Sequence, residues 1–359
     1  MKSSRLTHER LIPLALSLVY SNPFVVKVAP ERNYYDLISV WRPWPENSLT
    51  RCDNQSVLSV SKDTNDSTDV CRPQYRSNRT PADIHFQKYH QIPKPKKMHL
   101  ILPQVDKNND KKGILVIGDV HGCFHELLRL HEKAVQENGG LQFQYVILVG
   151  DLCNKGPDST NVIRHVRASP NWLCVRGNHD DGALAAALGD ECRQRKARYH
   201  WIFGIDKTGS SNTNVLSDED VLWMANLPYT IRIPAVVLGE EMDTLIVHAG
   251  LIPGVLLKDQ SIETMITIRE VEKDSDSHRF FYCKRSNEDS KERFLWADVW
   301  KGPERVIFGH DARRGLQQRK DKWTLGLDTG VVYGKKLMGV ILPQRKLVQI
   351  DAVKTHKSV

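Results

Sequence analysis

The chain of 359 residues is 40% hydrophobic and 26% charged, which is the composition of a soluble globular protein. No apolar run reaches the length needed to cross a bilayer, so we expect no membrane span. The net charge of +8 is uneven, because residues 1–112 hold 18 Lys and Arg against 11 Asp and Glu, whereas the rest holds 33 against 32.

The N-terminal region is predicted to be a basic, mostly disordered extension over residues 1–97. Residues 46–83 are rich in Ser, Asn, Asp, Thr and Arg without a sustained period, which is typical of disorder. The segment Ile92–Lys97 has the composition of a linker, so a single domain is expected over residues 98–359. We interpret the basic extension as solvated chain, and contact with nucleic acid or another acidic surface is the alternative.

The compartment is predicted from the cysteines and from the first residues. Seven cysteines are scattered without a CxxC pair, which indicates reduced thiols and a cytoplasmic protein. Leu11–Tyr20 is a short apolar stretch behind two arginines, so residues 1–30 are an alternative secretory or organellar signal. Pro13 interrupts this stretch and no clear small-residue cleavage site follows it, which favours the cytoplasmic prediction.

Strands and helices alternate in the first half of the domain. Short β-branched runs predict strands at 114–117, 145–149 and 172–175, and apolar spacing predicts helices at 124–134 and 161–166. This βαβαβ order predicts a parallel sheet flanked by helices. In such sheets ligands bind at the carboxyl ends of the strands.

The second half is richer in strands. Ser217 is predicted to cap a short helix that follows it. Strands are predicted at 231–238, 244–247, 305–308, 325–328, 336–342 and 346–350. The last two are expected to form a hairpin around Pro343 and Gln344. So many strands with few helices predict a second sheet packed on the first.

Polar side chains follow nearly every predicted buried strand. They are Asp119, His121, Asp151, Asn178, His248 and His310. Carboxylate and amide oxygens and imidazole nitrogens are the ligands of divalent metals that activate water. A single segment of this kind can arise by chance, but the ordered set predicts a site for two metal ions. The general chemistry of two-metal sites is displacement at phosphorus by an activated water.

The same segments resemble a known family. They are Gly118–Gly122 (GDVHG), Gly150–Ser159 (GDLCNKGPDS), Gly177–Asp180 (GNHD), His248–Gly250 (HAG), Gly309–Gly315 (GHDARRG) and Gly326–Gly330 (GLDTG). As a set they resemble the phosphoprotein-phosphatase superfamily of calcineurin-like metallophosphoesterases, and the second, fifth and sixth resemble its ApaH-like branch. The resemblance covers residues 113–352 and implies a four-layer αββα sandwich of the α/β (α+β) class.

The resemblance also implies roles for single residues. Asp119, His121 and Asp151 would hold the first metal, and Asp151, Asn178, His248 and His310 would hold the second. The two ions would be divalent metals from the group Mn²⁺, Zn²⁺, Fe and Mg²⁺, bridged by a hydroxide that attacks phosphorus. His179 would donate a proton to the leaving oxygen.

Three cations are expected to hold the phosphate group. Lys155 stands where the superfamily usually has Arg, and its ammonium cannot make the bidentate clamp of a guanidinium. Arg176 directly precedes the Gly-Asn-His segment. Arg269 is chosen as the second arginine, with Arg293 as the alternative. A surface ion pair is the competing interpretation for each.

Asn154 departs from the pattern of the protein phosphatases, which usually carry there an Asp paired with the donor histidine. An amide cannot stabilise an imidazolium as a carboxylate does, so the rate and pH profile of a protein phosphatase are in doubt. Tyr199, Trp201 and Phe203 alternate in a polar insertion at residues 190–215; we interpret them as packing residues, and the lining of a substrate groove is the alternative. Trp296, in a segment that resembles one near the rim of the active site, is likewise interpreted as a core residue.

These observations predict a two-metal phosphoesterase. Hydrolysis of phosphomonoesters or phosphoproteins is the first prediction. Hydrolysis of phosphoanhydrides (dinucleoside polyphosphates, RNA caps or inorganic polyphosphate) is the alternative. A second alternative is a binding module that kept the fold and lost catalysis, against which every ligand position is present. The site chemistry is common to all these substrates, so the motifs do not choose among them.

Overall fold

The computed structural model describes residues 92–103, 113–204, 215–283, 292–319 and 323–358. All of them belong to the second of the two units, residues 1–75 and 76–359, into which the chain divides. The predictions for most of the basic extension, including a targeting signal in residues 1–30, lie outside this part of the chain. Within it, no helix is long and apolar enough to cross a membrane.

The first large sheet has five strands. They are β2 (Ile114–Ile117), β3 (Tyr145–Leu148), β4 (Trp172–Cys174), β13 (Lys336–Leu342) and β14 (Lys346–Asp351). Their order is β14-β13-β2-β3-β4. β2, β3 and β4 are parallel, as the βαβαβ pattern predicts. The predicted hairpin is confirmed, because β13 and β14 pair antiparallel, and β13 also pairs antiparallel with β2.

The second large sheet has six strands. They are β1 (His99–Ile101), β5 (Thr230–Ile233), β6 (Thr244–Val247), β10 (Arg305–Phe308), β11 (Gln317–Gln318) and β12 (Thr324–Gly326). Their order is β1-β5-β6-β10-β12-β11. The strands predicted at 244–247 and 305–308 are confirmed to the residue, whereas β1 was not predicted.

Eight α-helices lie in the described part of the chain. They are α1 (Phe124–Glu137), α2 (Ser159–Ala168), α3 (Asn178–Ala187), α4 (Glu191–Gln194), α5 (Asp218–Ala225), α6 (Ala235–Leu238), α7 (Ile262–Thr267) and α8 (Trp296–Val299). Short 3-10 helices span Ala197–Phe203 and Leu257–Asp259. The predicted cap of α5 is confirmed, because the Ser217 hydroxyl accepts a hydrogen bond from the Asp220 N–H.

The two sheets pack face to face with helices outside them. Along β2, Ile114 and Val116 enter the core between the sheets, whereas Leu115 and Ile117 enter the core beneath α1 and α2. Successive strand residues point to opposite faces, so a strand buried on both faces reads as a continuous apolar run. A third core under α7 and α8 contains the buried Trp296. This arrangement confirms the αββα sandwich.

Three further features differ from the sequence prediction. The strand predicted at 231–238 ends at Ile233, because Pro234 has no N–H to extend the ladder and begins α6 instead. A small antiparallel sheet of β7 (Glu270–Lys273), β8 (Phe280–Tyr282) and β9 (Arg293–Leu295) was not predicted, since β7 is largely charged.

The third difference is the start of the packed chain. Ile92, in the predicted linker, is buried in the core beneath α1 and α2. The Pro93 carbonyl accepts a hydrogen bond of 3.2 Å from Arg176. The packed part of the chain therefore already includes Ile92, six residues before the predicted boundary at Met98.

Candidate metal centre

The predicted metal ligands come together where strands of both sheets end. Asp119 follows β2, Asp151 follows β3, and Asn178 begins α3 shortly after β4. His248 and His310 follow β6 and β10 of the second sheet. Both histidines contact Asn178, so the carboxyl ends of the two sheets face one site.

Asp151 lies at the centre of this site. Its carboxylate is 3.6 Å from His121 Nε2 and 3.4 Å from His248 Nε2. It belongs to two groups of potential ligands whose donor atoms lie within 4.8 Å of one another, one with His121 and His179 and the other with Asp119 and His248. A carboxylate shared by two groups of donors is the arrangement that bridging two ions requires.

Backbone carbonyls orient two of the imidazole rings. His121 Nδ1 is 3.1 Å from the Cys153 carbonyl, and His248 Nδ1 is 2.9 Å from the Val149 carbonyl. A carbonyl only accepts, so each Nδ1 carries the ring proton and each Nε2 keeps its lone pair for the site. Histidines that bind metals usually have such an outer hydrogen bond.

Asn178 and His310 form the other side of the site. Asn178 Oδ1 is 3.1 Å from His248 Nε2 and 2.9 Å from His310 Nδ1. Both oxygens of the Asp119 carboxylate lie 3.1 Å from the His310 N–H. The Thr267 backbone also hydrogen-bonds to the His310 ring. His310 Nδ1, which faces the Asn178 oxygen, is therefore the ring nitrogen that could bind an ion.

The glycines of the motifs permit close contacts around the carboxylates. A Cβ on Gly309 would collide with Asp119 Oδ1, and one on Gly177 would collide with Asp151 Oδ1. Asp151 and Lys155 themselves have positive φ angles of 52° and 68°. Residues other than glycine rarely adopt this region, and such strained backbone is concentrated at functional sites.

Asp180 supports the loop that carries Asp151. Its carboxylate accepts hydrogen bonds from the N–H groups of Asp151 at 2.8 Å, Leu152 at 2.9 Å and Gly177 at 3.0 Å. Burial, with the nearby Asp151 carboxylate, raises the pKa of Asp180 to about 7. Sequence reasoning assigned no role to this residue, although it ends the Gly177–Asp180 segment.

Crowding shifts the pKa values of the acids and bases in the site. Burial raises the pKa of Asp151 to about 7 and the pKa of Asp328 to about 6. Burial, followed by the charges of Asp328 and Asp151, raises the pKa of Asp119 well above its usual value. Burial lowers the pKa of His248 to about 4. Added positive charge is therefore needed before these carboxylates can all be ionised together.

The donor set fits two divalent metal ions. It consists of buried carboxylates, one amide oxygen and imidazole nitrogens with free lone pairs, which suits ions of the Zn²⁺, Mn²⁺, Fe²⁺ or Mg²⁺ type. The Lys155 ammonium is 2.7 Å from His121 Nε2, so this lone pair already faces a cation. Divalent charge would also favour the ionised carboxylates. Which residue binds which ion stays a prediction.

Only some of the predicted phosphate-binding cations lie at the cavity beside the metal centre. Lys155 and Arg269 line the same cavity as Asp151. Arg269 donates to the His310 carbonyl at 3.2 Å, and its Nε lies 3.5 Å from the Asp311 carboxylate. Arg293 is half-exposed and pairs with a glutamate of the third sheet instead, away from the residues that line the cavity.

Arg176 is enclosed in the protein interior. Its Nε is 3.0 Å from the Asp181 carboxylate, and Nη2 donates to the Tyr229 hydroxyl at 2.5 Å and to the Pro93 carbonyl at 3.2 Å. The side chain has 0% exposure and does not line the cavity. A guanidinium held by fixed partners cannot reach a substrate, so the predicted contact between Arg176 and phosphate is wrong.

His179, the predicted proton donor, lines the cavity. Its Nδ1 is 3.3 Å from Asn154 Nδ2, which also donates to the His179 carbonyl at 3.2 Å. Asn154 Oδ1 accepts a hydrogen bond of 2.7 Å from Trp201 Nε1. Trp201 packs against the core beneath α1 and α2 as predicted, but its hydrogen bond was not predicted. Burial, followed by His121 and Lys155, lowers the pKa of His179 well below its usual value.

A cavity of about 310 Å³ opens beside these residues. Its lining adds residues to which the sequence assigned no role, namely Arg313, Asp328, Tyr333, Lys335 and Lys357. Asp328 could have been found, since it lies in the Gly326–Gly330 segment and again follows a strand. Arg313 likewise lies in the Gly309–Gly315 segment. Tyr333, Lys335 and Lys357 lie in none of the motif segments, so only the packing of the chain brings these three to the cavity.

Comparison with known proteins agrees with this geometry. Residues 113–330 match the calcineurin-like phosphoesterase family. The chain is similar to two bacterial proteins named symmetrical bis(5'-nucleosyl)-tetraphosphatase. The Erwinia tasmaniensis protein is 37% identical over 141 residues, which are 38% of this chain and 44% of the relative. The Methylobacillus flagellatus protein is 28% identical over 288 residues, which cover 65% of this chain and 93% of the relative.

The chain is also similar to a yeast protein named for a different substrate and to a protein of known structure. The zinc-dependent endopolyphosphatase of Saccharomyces cerevisiae is 25% identical, covering 62% of this chain and 73% of the relative. The crystal structure of a diadenosine tetraphosphatase candidate is 28% identical with a TM-score of 0.53, covering 71% of this chain and 98% of that chain.

Proposed function

Because the chain belongs to the calcineurin-like phosphoesterase family, whose members are hydrolases that use two divalent metals, we propose that it hydrolyses phosphoanhydride bonds. Its substrates would be linear phosphate chains, either inorganic polyphosphate or dinucleoside polyphosphates. The similar enzymes named above are a tetraphosphatase and an endopolyphosphatase. These similarities favour phosphoanhydride hydrolysis, the alternative prediction from the sequence, over hydrolysis of phosphomonoesters or phosphoproteins, which was the first prediction. They also favour a catalytic protein over a module that only binds phosphate.

The observation that carries the proposal is the orientation of the Asn154 amide. An indole N–H only donates, so the Asn154 oxygen must face Trp201. The amino group therefore faces His179, where the backbone carbonyl accepts one of its hydrogens. The other hydrogen points at His179 Nδ1. Since an amino group cannot accept, Nδ1 must be the acceptor, and the neutral ring carries its proton on Nε2.

This tautomer suits a stable leaving group. A carboxylate at position 154 would accept a proton from Nδ1 and stabilise the doubly protonated ring, which an amide that donates to Nδ1 does not do. His179 can then donate a hydrogen bond from Nε2 but is a weak source of a whole proton. A departing phosphate is stable without that proton, because its second pKa is about 6. The alkoxide of a serine phosphate needs it.

Other residues of the site would position the phosphate under attack. Two divalent ions supply an activated water and neutralise charge on the phosphate oxygens. Lys155 and Arg269 line the same cavity, and Arg269 is oriented by the His310 carbonyl and Asp311. Together they would hold the phosphate so that the departing oxygen faces His179.

The test compares substrates with different leaving groups on metal-loaded, full-length protein. We expect kcat/KM for diadenosine tetraphosphate or tripolyphosphate to exceed that for a phosphoserine peptide by about a hundredfold or more, which is the usual contribution of a general acid. Asn154→Asp should narrow this gap by improving the phosphoserine rate. A phosphoserine peptide cleaved as well as the anhydrides would refute the proposal. Capped RNA belongs in the same panel.

A further inference from the structure

We propose that Arg313, Lys335 and Lys357 form a binding track for the part of a phosphate chain that lies beyond the bond being cleaved. The inference rests on the proposed function and names a subsite of the same cavity. All three side chains are exposed at this cavity, whose lining also includes Asp151 and His310.

The charge of the cavity exceeds what one phosphate requires. Five cationic side chains line it against two carboxylates, Asp151 and Asp328. Lys155 and Arg269 are already expected to hold the phosphate under attack, and bound metals would add more positive charge. A surplus of uncompensated cations at a cavity attracts an extended anion.

The three outer cations carry no counter-charge from the described part of the chain. Neither Arg313 nor the two lysines form an ion pair with any residue described there. The adjacent Arg314 differs, because it pairs with Asp311 at 2.5 Å and with Glu270 at 2.9 Å. Arg314 is thus neutralised within the fold, whereas the charge of Arg313 is available to a ligand.

Lys357 is carried by a segment with defined contacts, residues 352–358, which we call the C-terminal strap. The N–H groups of His356 and Lys357 donate to the Val332 carbonyl at 3.0 and 3.1 Å. The Ala352 N–H donates to the Lys335 carbonyl at 2.9 Å. These bonds hold the strap against residues 332 and 335, and Lys335 and Lys357 both line the cavity.

The cavity lining is better suited to phosphates than to bases. Among the lining residues that the structure describes, Tyr333 has the only aromatic ring besides the histidines. The Lys155 ammonium already lies 5.3 Å from the centre of that ring. Bases are usually bound by stacking on exposed aromatic faces, whereas this lining presents charge. The ligand of the track is therefore the phosphate chain itself, with or without a nucleoside at its end.

Binding of an uncleavable ligand tests the track separately from catalysis. Calorimetry on metal-loaded, full-length protein would compare orthophosphate with a methylene-bridged triphosphate analogue, at fixed free metal. The variant is Lys335→Ala with Lys357→Ala. The matched control is Lys354→Ala, which removes an exposed lysine of the same strap that does not line the cavity. Diadenosine tetraphosphate, bound in the same assay under conditions without turnover, forms a second arm.

The double variant should bind the triphosphate analogue about tenfold more weakly, while its affinity for orthophosphate changes less than about twofold. The wild-type affinity for the analogue should fall more steeply with salt than that of the variant. Equal losses for both ligands, no loss, or the same loss in Lys354→Ala would overturn the track. A loss for the analogue alone indicates inorganic chains, and a loss for diadenosine tetraphosphate as well includes nucleotides.

This result does not depend on cleavage. If the wild type cleaves no anhydride yet the double variant shows the selective loss, the track stands and the proposed function fails. If the wild type cleaves anhydrides but the variant binds normally, the proposed function stands and the track fails.

Discussion

Trp201 and Asn154 are joined by a hydrogen bond of 2.7 Å from the indole Nε1 to the amide Oδ1. The bond connects the 3-10 helix Ala197–Phe203 to the loop after β3. It turns the amino group of Asn154 toward His179 and so determines which nitrogen of that ring carries the proton. A residue outside the family motifs thus positions the predicted proton donor.

Replacing Trp201 by Phe removes this donor and keeps an aromatic ring. We expect kcat for an anhydride substrate to fall about three- to tenfold, because a neutral hydrogen bond contributes about 0.5–1.5 kcal/mol. Metal content and KM should change little. Steady-state kinetics and metal analysis measure both. Trp300→Phe is the matched control. It also removes an indole hydrogen bond, of 2.8 Å from Trp300 Nε1 to the Glu304 carbonyl, but Trp300 belongs to the third core. An unchanged kcat in Trp201→Phe would remove its positioning role.

Asp151→Asn tests the bridging position. The change keeps the shape of the side chain but halves its donor capacity, so metal content after dialysis should fall and turnover should drop roughly a thousandfold or more. Metal analysis of the purified protein separates loss of the ions from loss of chemistry. Asp351→Asn, at an exposed residue paired with Lys336, is the control. Near-normal metal content and turnover would reject the site assignment.

Arg176 and Arg269 should respond differently to replacement by Ala. Arg176→Ala leaves the buried Asp181 carboxylate unpaired, so the free energy of unfolding should fall by about 3–5 kcal/mol. Arg269→Ala should lower the free energy of unfolding by only about 1 kcal/mol, because it removes one hydrogen bond and a partly exposed ion pair. It should raise KM, because this side chain lines the cavity. Urea unfolding and steady-state kinetics measure the two effects. A stable Arg176→Ala protein with a raised KM would restore the phosphate contact that the structure contradicts.

His131 and His165 predict how stability depends on pH. Both rings pack on Trp172, with centroid distances of 5.0 and 4.7 Å. Burial lowers the pKa of each, and for His131 the charge of His165 adds to this. The unfolded chain then binds protons more readily, near pH 6.5, so this contribution is complete above that pH and is lost as the pH falls below it.

The check is urea unfolding at about pH 5.5 and pH 7.5 in the presence of a chelator. The stability difference between the two pH values should be smaller in His131→Gln/His165→Gln than in the wild type. His125→Gln, at an exposed position of α1, should keep the full difference. An equal difference in all three proteins would show that these rings do not contribute.

The limits of sequence-based prediction are visible in particular residues. The run Ile114–Ile117 is apolar throughout because it is buried on both faces. Its short length, its β-branched residues and the glycine that follows it are sufficient to predict such a strand. The prediction of a strand through Leu238 failed at Pro234, where the missing N–H outweighed a largely apolar pattern. Strand β7 was not predicted because most of its residues are charged. It forms a strand because β8 and β9 pair with it on either side, and its own sequence does not indicate this pairing.

The sequence by itself determined the order of buried strands and the polar residues that follow them, because strand ends are marked locally by glycine, Asp, Asn and His. The tertiary structure alone decided which cations reach the site. Arg176 and Arg269 have the same guanidinium, but one is closed off by Asp181 and Tyr229 and the other faces the cavity. Likewise, Lys357 reaches the cavity because the strap pairs with Val332. Such contacts join distant parts of the chain, and no local pattern of side chains records them.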